Sequence, residues 1–289
     1  MDTHTLEAPG VVLHYDVRPG GSGAEPPLLM FASPMSAAYF ETLASHFPDR
    51  TVVTYDPRGS ERSQRTDDAT ASPPEEHADD LHRLINALGG GPVDAFASSG
   101  GAVNGLVLAA KHPEQIRTLV AHEPPAAQVL PDREAMLAAA NDIHDTYMRV
   151  GFGPAMAKFI AIAGYQGEFP GMKGEGEAGG AWPEPAAFGL PAEDDGARDN
   201  PLLGLNMPSC LEYDHDFEAL RRGPGRVVLG RGEDSGETMA ARAASGVAAR
   251  LGATPVMFPG GHDGFLGGEF GGTGKPEAFA AVLREVLAG

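Results

Sequence analysis

The chain is poor in cysteine, in positive charge and in long apolar runs. Of its 289 residues one is cysteine, Cys210. A lone thiol excludes an internal disulfide and suits a reducing compartment. Lys and Arg number 21 against 40 Asp and Glu, for a formal net charge of -19. Nucleic acids and anionic membranes call for a basic surface, so neither is an expected partner. No apolar run approaches the ~20 residues that span a bilayer. Met1 to Pro19 has neither the basic start nor the apolar core of a signal peptide. A cytoplasmic protein is the expectation, and no residue pattern fixes an oligomeric state.

Strand and helix signals alternate along most of the chain. Thr3–Glu7 and Val11–Val17 flank the turn dipeptide Pro9-Gly10 and predict a hairpin. Short apolar or β-branched runs predict strands at Leu28–Ala32, Thr51–Tyr55, Val93–Ala97, Arg117–Ala121, Arg226–Leu229 and Pro255–Phe258. Helical spacing predicts helices at Ala37–Phe47, Pro74–Leu88, Gly101–Ala110, Thr238–Leu251 and Pro276–Leu287. Alternation of this kind gives an α/β fold, a mostly parallel sheet with helices on both faces. It stops near Pro125 and resumes near Gly225. Between them lie a helical stretch from Pro131 and a Gly/Pro-rich stretch, Gly164–Pro201, whose part Gly164–Gly180 is expected to be mobile. Residues 1–125 and 225–289 are therefore expected to form the core, with 126–224 an inserted, mainly helical cap.

The most informative segment runs from Val93 to Gly105. An apolar strand leads into Ala97-Ser98-Ser99-Gly100-Gly101 and then a helix. A serine on a sharp strand-to-helix turn can present an exposed, strained nucleophile, and small neighbours are needed to make the turn. Centring the turn on Ser98 puts Phe96 at the first small position, whereas centring it on Ser99 needs only Ala97 there, which favours Ser99. The competing role for either serine is a helix N-cap. A serine hydroxyl needs a base. Among 10 histidines, His262 stands out because the Gly-rich loop Pro259-Gly260-Gly261-His262 follows the last strand. Loops after parallel strands share one sheet edge, so this loop can meet the Ser99 turn. His112 reads as a helix-end residue, and His122 as either core or site.

The sequence resembles the α/β-hydrolase superfamily. The resemblance is carried by Tyr55-Asp56-Pro57-Arg58-Gly59 with Arg62-Ser63, by the Ser99 turn running to His112-Pro113-Glu114, by Leu119–Pro125, and by Pro259–His262. These pieces span about two-thirds of the chain in the expected order. Ser33-Pro34-Met35 with Asp49–Asp56 further resembles a group of uncharacterised actinobacterial hydrolases. Two positions depart from the family pattern: Ala32-Ser33 replaces the usual His-Gly, and Ala97 replaces the first glycine of the turn.

The resemblance implies an oxyanion hole of two backbone N–H groups. One comes from Gly100. The other is assigned to Met35, because Pro34 has no N–H. It also implies a carboxylate behind His262. One candidate is Glu123, at the end of the strand after the turn's helix. The others are Glu233 and Asp234, after the strand Arg226–Leu229. Glu123 is preferred, with Asp234 the main alternative.

Met and Phe in the insertion suggest an apolar pocket. Ser33, Phe152, Trp182 and Met207 are the substrate-contact candidates, and Tyr147, Phe159, Leu205 and Tyr213 are weaker ones. The implied activity is that of a carboxylic ester hydrolase acting on a small hydrophobic ester or lactone, with no cofactor and no metal. Other uses of the fold are a cofactor-free peroxidase, a lyase, a biosynthetic cyclase or a non-catalytic small-molecule binder. A serine at the turn, where epoxide hydrolases and dehalogenases carry a carboxylate, argues against their chemistry.

Overall fold

A computed structural model describes residues 1–21, 25–171 and 182–289. Its sheet has eight strands: β1 (Asp2–Ala8), β2 (Val11–Arg18), β3 (Leu28–Phe31), β4 (Val52–Tyr55), β5 (Val93–Ser98), β6 (Ile116–His122), β7 (Arg226–Gly232) and β8 (Val256–Phe258). Their spatial order is β1-β2-β4-β3-β5-β6-β7-β8. β1, β2 and β4 pair antiparallel, and all pairs from β4 to β8 are parallel. The parallel strands carry their βα loops to one edge, where all the candidate site segments lie.

Nine helices accompany the sheet among the described residues: α1 (Glu41–Ser45), α2 (Pro74–Ala87), α3 (Gly100–Lys111), α4 (Arg133–Val150), α5 (Phe152–Ala163), α6 (Met207–Glu212), α7 (Phe217–Arg222), α8 (Met239–Arg250) and α9 (Pro276–Ala288). Successive strand residues point to opposite faces, and the core divides accordingly. Leu29, Phe31, Ala95, Leu119 and Ala121 pack under α2, α3, α7 and α8. Leu28, Met30, Phe96 and Val120 pack under α1 and α9, where Phe40, Phe265 and Phe279 surround Phe96. The interior strands are apolar on both sides because both faces are covered.

The insertion leaves the sheet after β6. Met136, Ile143 and Tyr147 of α4, Ala155 and Ile162 of α5, and Met207 and Leu211 of α6 form its own apolar cluster. Hydrogen bonds fasten it to the core at several places, these among them. Asp132 accepts two hydrogen bonds from Arg242 of α8, at 2.8 and 2.9 Å. His77 of α2 hydrogen-bonds Asn206 at 2.8 Å. α7 packs with the sheet-face core rather than with the insertion's cluster.

The structure shortens one predicted helix. Ala37–Phe47 is a 3-10 turn, Ala37–Phe40, followed by the five-residue α1. Asp56 reaches over from the end of β4 to accept the Ala37 N–H at 2.9 Å, which fixes the start of that turn. In the Gly/Pro-rich stretch, residues 172–181 lie outside the described residues, and the expectation of mobility for Gly164–Gly180 falls largely on them.

Candidate active site

At the carboxyl edge of the sheet, under α4, α5 and α6, is a cavity of about 1150 Å³. Ser99 and His262 both line it. Ser99 follows β5 directly and has φ 55° and ψ -131°. That region is strained for a residue with a Cβ and costs of order 1–3 kcal/mol. The strain is held by backbone bonds on both sides: the Ser99 N–H donates to the His122 carbonyl at 3.0 Å, and the Ser99 carbonyl accepts from Ala102 at 2.9 Å. The hydroxyl makes no helix-capping bond. Ser98, by contrast, is the fully buried last residue of β5, with its hydroxyl 3.5 Å from His122 Nδ1.

Glycine is required just after Ser99 for want of space. A Cβ on Gly100 would lie 2.6 Å from the Ser33 carbonyl oxygen, and one on Gly101 would lie 2.5 Å from Ala32 Cα. The start of α3 therefore packs backbone to backbone on the loop after β3. This contact brings Gly100 and Met35 to the same cavity. Neither N–H donates to another described residue. Behind Met35, Asp56 ties the loop down. Besides accepting from Ala37, it takes a 2.6 Å bond from Arg62 Nε, and Arg62 pairs with Asp16 at 2.8 Å.

The carboxylate on His262 is Glu123, whose Oε2 lies 2.7 Å from His262 Nδ1. Glu123 is fully buried, and its Oε1 accepts from the Gly232 N–H at 2.9 Å. Its own backbone sits at φ 48°, and its N–H donates to the Gly230 carbonyl at 3.0 Å. The end of β6 thus turns sharply to aim this side chain across β7. Burial opposes ionisation of Glu123, but the His262 hydrogen bond and charge hold its pKa down to about 2. For His262 burial favours the neutral ring, while the Glu123 hydrogen bond and charge, with the charge of Asp263, raise the pKa above its ordinary value. The His262 side chain is 37% exposed. No hydrogen bond joins it to the Ser99 hydroxyl; such contacts often tighten only when substrate is bound.

The loop after β7 supports this pair and supplies no acid to it. Glu233 and Asp234 donate backbone N–H bonds to the Phe258 and Gly260 carbonyls, at 2.9 Å each. The Asp234 side chain lines the cavity but is 59% exposed and pairs with Lys275 at 2.7 Å. His122 is buried against Phe96, Phe258 and Phe279, and burial pushes its pKa down to about 4, so the ring is neutral.

Of the substrate-contact candidates, Ser33, Phe152 and Met207 line the cavity, as do Tyr147 and Phe159. Trp182 does not. Its ring packs on the insertion's own cluster with the Lys158 ammonium 5.4 Å from its centre, a cation–π contact. Leu205 and Tyr213 also lie outside the lining. Among the described residues no group of three or more His, Cys, Asp or Glu side chains could hold a metal ion, and no helix is long and apolar enough to cross a membrane. Sequence reasoning missed Asp56 as the anchor of the Met35 loop and Gly232 as the donor to Glu123. The first could have been sought in the run Tyr55-Asp56-Pro57-Arg58-Gly59; a backbone donor leaves no signal.

Residues 21–161 match the family model described as alpha/beta hydrolase fold. An uncharacterised hydrolase, YraK of Bacillus subtilis (strain 168), is 30% identical over 277 residues, covering 92% of this chain and 91% of its own. The chain belongs to the α/β-hydrolase family. Among solved structures, a thermophilic esterase from Thermogutta terrifontis superposes with a TM-score of 0.67 at 17% identity, over 100% of this chain and 98% of that one. The enol-lactonase from Burkholderia xenovorans LB400 gives 0.67 at 17% identity, over 99% of this chain and 100% of that one. At such identities the likeness is one of fold. The α/β-hydrolase sheet of this chain runs in the strand order given above, with its helical insertion between β6 and β7.

Proposed function

We propose that this α/β-hydrolase is a serine hydrolase that cleaves an ester or lactone of a small hydrophobic substrate through an acyl-enzyme. The observation that carries this reading is that Ser99, on a turn at φ 55°, lines the same cavity as His262, whose ring is held from behind by buried Glu123.

In this mechanism Ser99 Oγ attacks the substrate carbonyl. His262 Nε2 takes the hydroxyl proton and returns it to the departing alkoxide. Buried Glu123 holds the Nδ1–H tautomer and offsets the positive charge that forms on the ring. The N–H groups of Gly100 and Met35 receive the oxyanion. Water, activated by His262 in turn, releases the acid and restores Ser99. Residues 126–224 serve as a cap that shields the acyl-enzyme, and Ser33, Phe152 and Met207 contact the substrate. No cofactor takes part. The names of the esterase and the enol-lactonase above agree with this reading.

The test is turnover of short-chain and aryl esters by wild type, Ser99→Ala and Ser98→Ala. Loss of activity in Ser99→Ala with most of it retained in Ser98→Ala is expected. Undiminished turnover by Ser99→Ala would refute the reading.

A further inference from the structure

The cavity has two chemically different walls. Phe152, Met156, Phe159 and Ile162 of α5, with Met207 and Met239, make one side apolar. The loops after β3 and β4 supply the other through Ser36, Tyr39, Ser60, Glu61 and Gln64. On this second wall the Ser36 and Ser60 side chains belong to residues 2% and 4% exposed, and neither hydroxyl has a hydrogen-bond partner. This wall is thus polar where the α5 wall is apolar.

The charge around the cavity has a single sign. Glu61, Asp195, Asp199, Asp234 and Asp263 border it, and among the described residues no Lys or Arg does. Lys275 offsets Asp234. Among the described residues the other four carboxylates pair with no Lys or Arg. Two of them, Glu61 and Asp263, lie close enough to Tyr39 for their charges to add to burial in raising its phenol pKa. The Tyr39 ring stacks on Phe270 with centroids 4.1 Å apart. Unpaired carboxylates beside an aromatic face favour a positive group and disfavour a negative one.

We propose that this wall and the carboxylates around the cavity set the substrate class: an ester or lactone with an apolar part and a polar part that is cationic, such as an ammonium, or neutral, with carboxylate and phosphate groups discriminated against. The inference rests on the hydrolase reading above and names its substrate. The apolar part lies along α5, and the polar part lies against Tyr39, Glu61 and Gln64.

The test uses three p-nitrophenyl phosphonates of equal length that end in a trimethylammonium, a tert-butyl or a carboxylate group. Their rates of covalent attachment to Ser99 are read by intact mass. The cationic probe is expected to react at least ~10-fold faster than the anionic one at low salt, with the gap closing in concentrated salt. In a Glu61→Gln/Asp199→Asn double variant, both changes being at exposed positions, the gap should fall to within about threefold. An anionic probe that reacts as fast as the cationic one, or a gap that neither salt nor the double variant narrows, overturns the substrate class while attachment of the neutral probe upholds the nucleophile. Failure of all three probes on folded protein overturns the nucleophile, and the substrate class with it.

Discussion

Replacing Glu123 by Gln removes one charge from the site and puts an amide NH2 in place of one carboxylate oxygen. The amide oxygen can still accept the Gly232 N–H where Oε1 does now, at 2.9 Å, and the side chain keeps its volume. What is lost is the carboxylate 2.7 Å from His262 Nδ1. The Glu123 pKa falls from its ordinary 4.5 to about 2 even though burial pushes it upward. That net shift corresponds to about 3 kcal/mol of preference for the charged form, and His262 is the largest source of it. If the imidazolium forms in the transition state, losing this stabilisation alone costs roughly a hundredfold in kcat. The amide NH2 adds a second effect. Facing Nδ1 it favours the tautomer with the proton on Nε2, where the ring cannot accept the Ser99 proton, and this carries the expected loss towards about 10⁴-fold. The assay is kcat for a chromogenic short-chain ester, with thermal unfolding as the control for folding. Asp234→Asn, at an exposed position paired with Lys275, should stay within about threefold of wild type, in line with the small worth of surface ion pairs. A loss below about tenfold for Glu123→Gln, or a larger loss for Asp234→Asn, would refute the assignment of the acid.

Two other predictions follow from the same geometry. Because the His262 pKa is raised and the base must be neutral, kcat/KM should rise with pH through a midpoint above 6.5; Glu123→Gln should move that midpoint down, and a wild-type midpoint below 6.5 would contradict the His262–Glu123 pairing. Gly100→Ala would put a methyl 2.6 Å from the Ser33 carbonyl and displace the loop that carries Met35. A fall in kcat of at least ~10-fold is expected, in keeping with loss of an oxyanion donor, and unchanged kinetics in a folded variant would show that the loop contact does not matter.

Much of this was legible in the sequence for identifiable reasons. Buried strands such as Leu28–Phe31 and Val52–Tyr55 are apolar throughout because both faces of the sheet are covered, so the alternation with helices could be read directly. The Ser99 turn was legible because its steric demands fall on the residues themselves: Gly100 and Gly101 have no room for a Cβ. The acid was harder to read. The loop after β7 offered Glu233 and Asp234 beside the preferred Glu123, and what decides between them is a turn at φ 48° that aims Glu123 across β7. No residue pattern encodes that angle. Trp182 shows the same limit, because the apolar character that Phe152, Met207 and Trp182 share does not say which of them reaches the cavity.

The central claim is that Ser99 is the nucleophile, and one measurement addresses it directly. Native protein is treated with a fluorophosphonate and the adduct is located by peptide mass spectrometry. The account predicts a single adduct on Ser99, abolished by Ser99→Ala and strongly slowed by Glu123→Gln. A folded protein that takes up no probe, or takes it up at Ser98 or elsewhere, would contradict it.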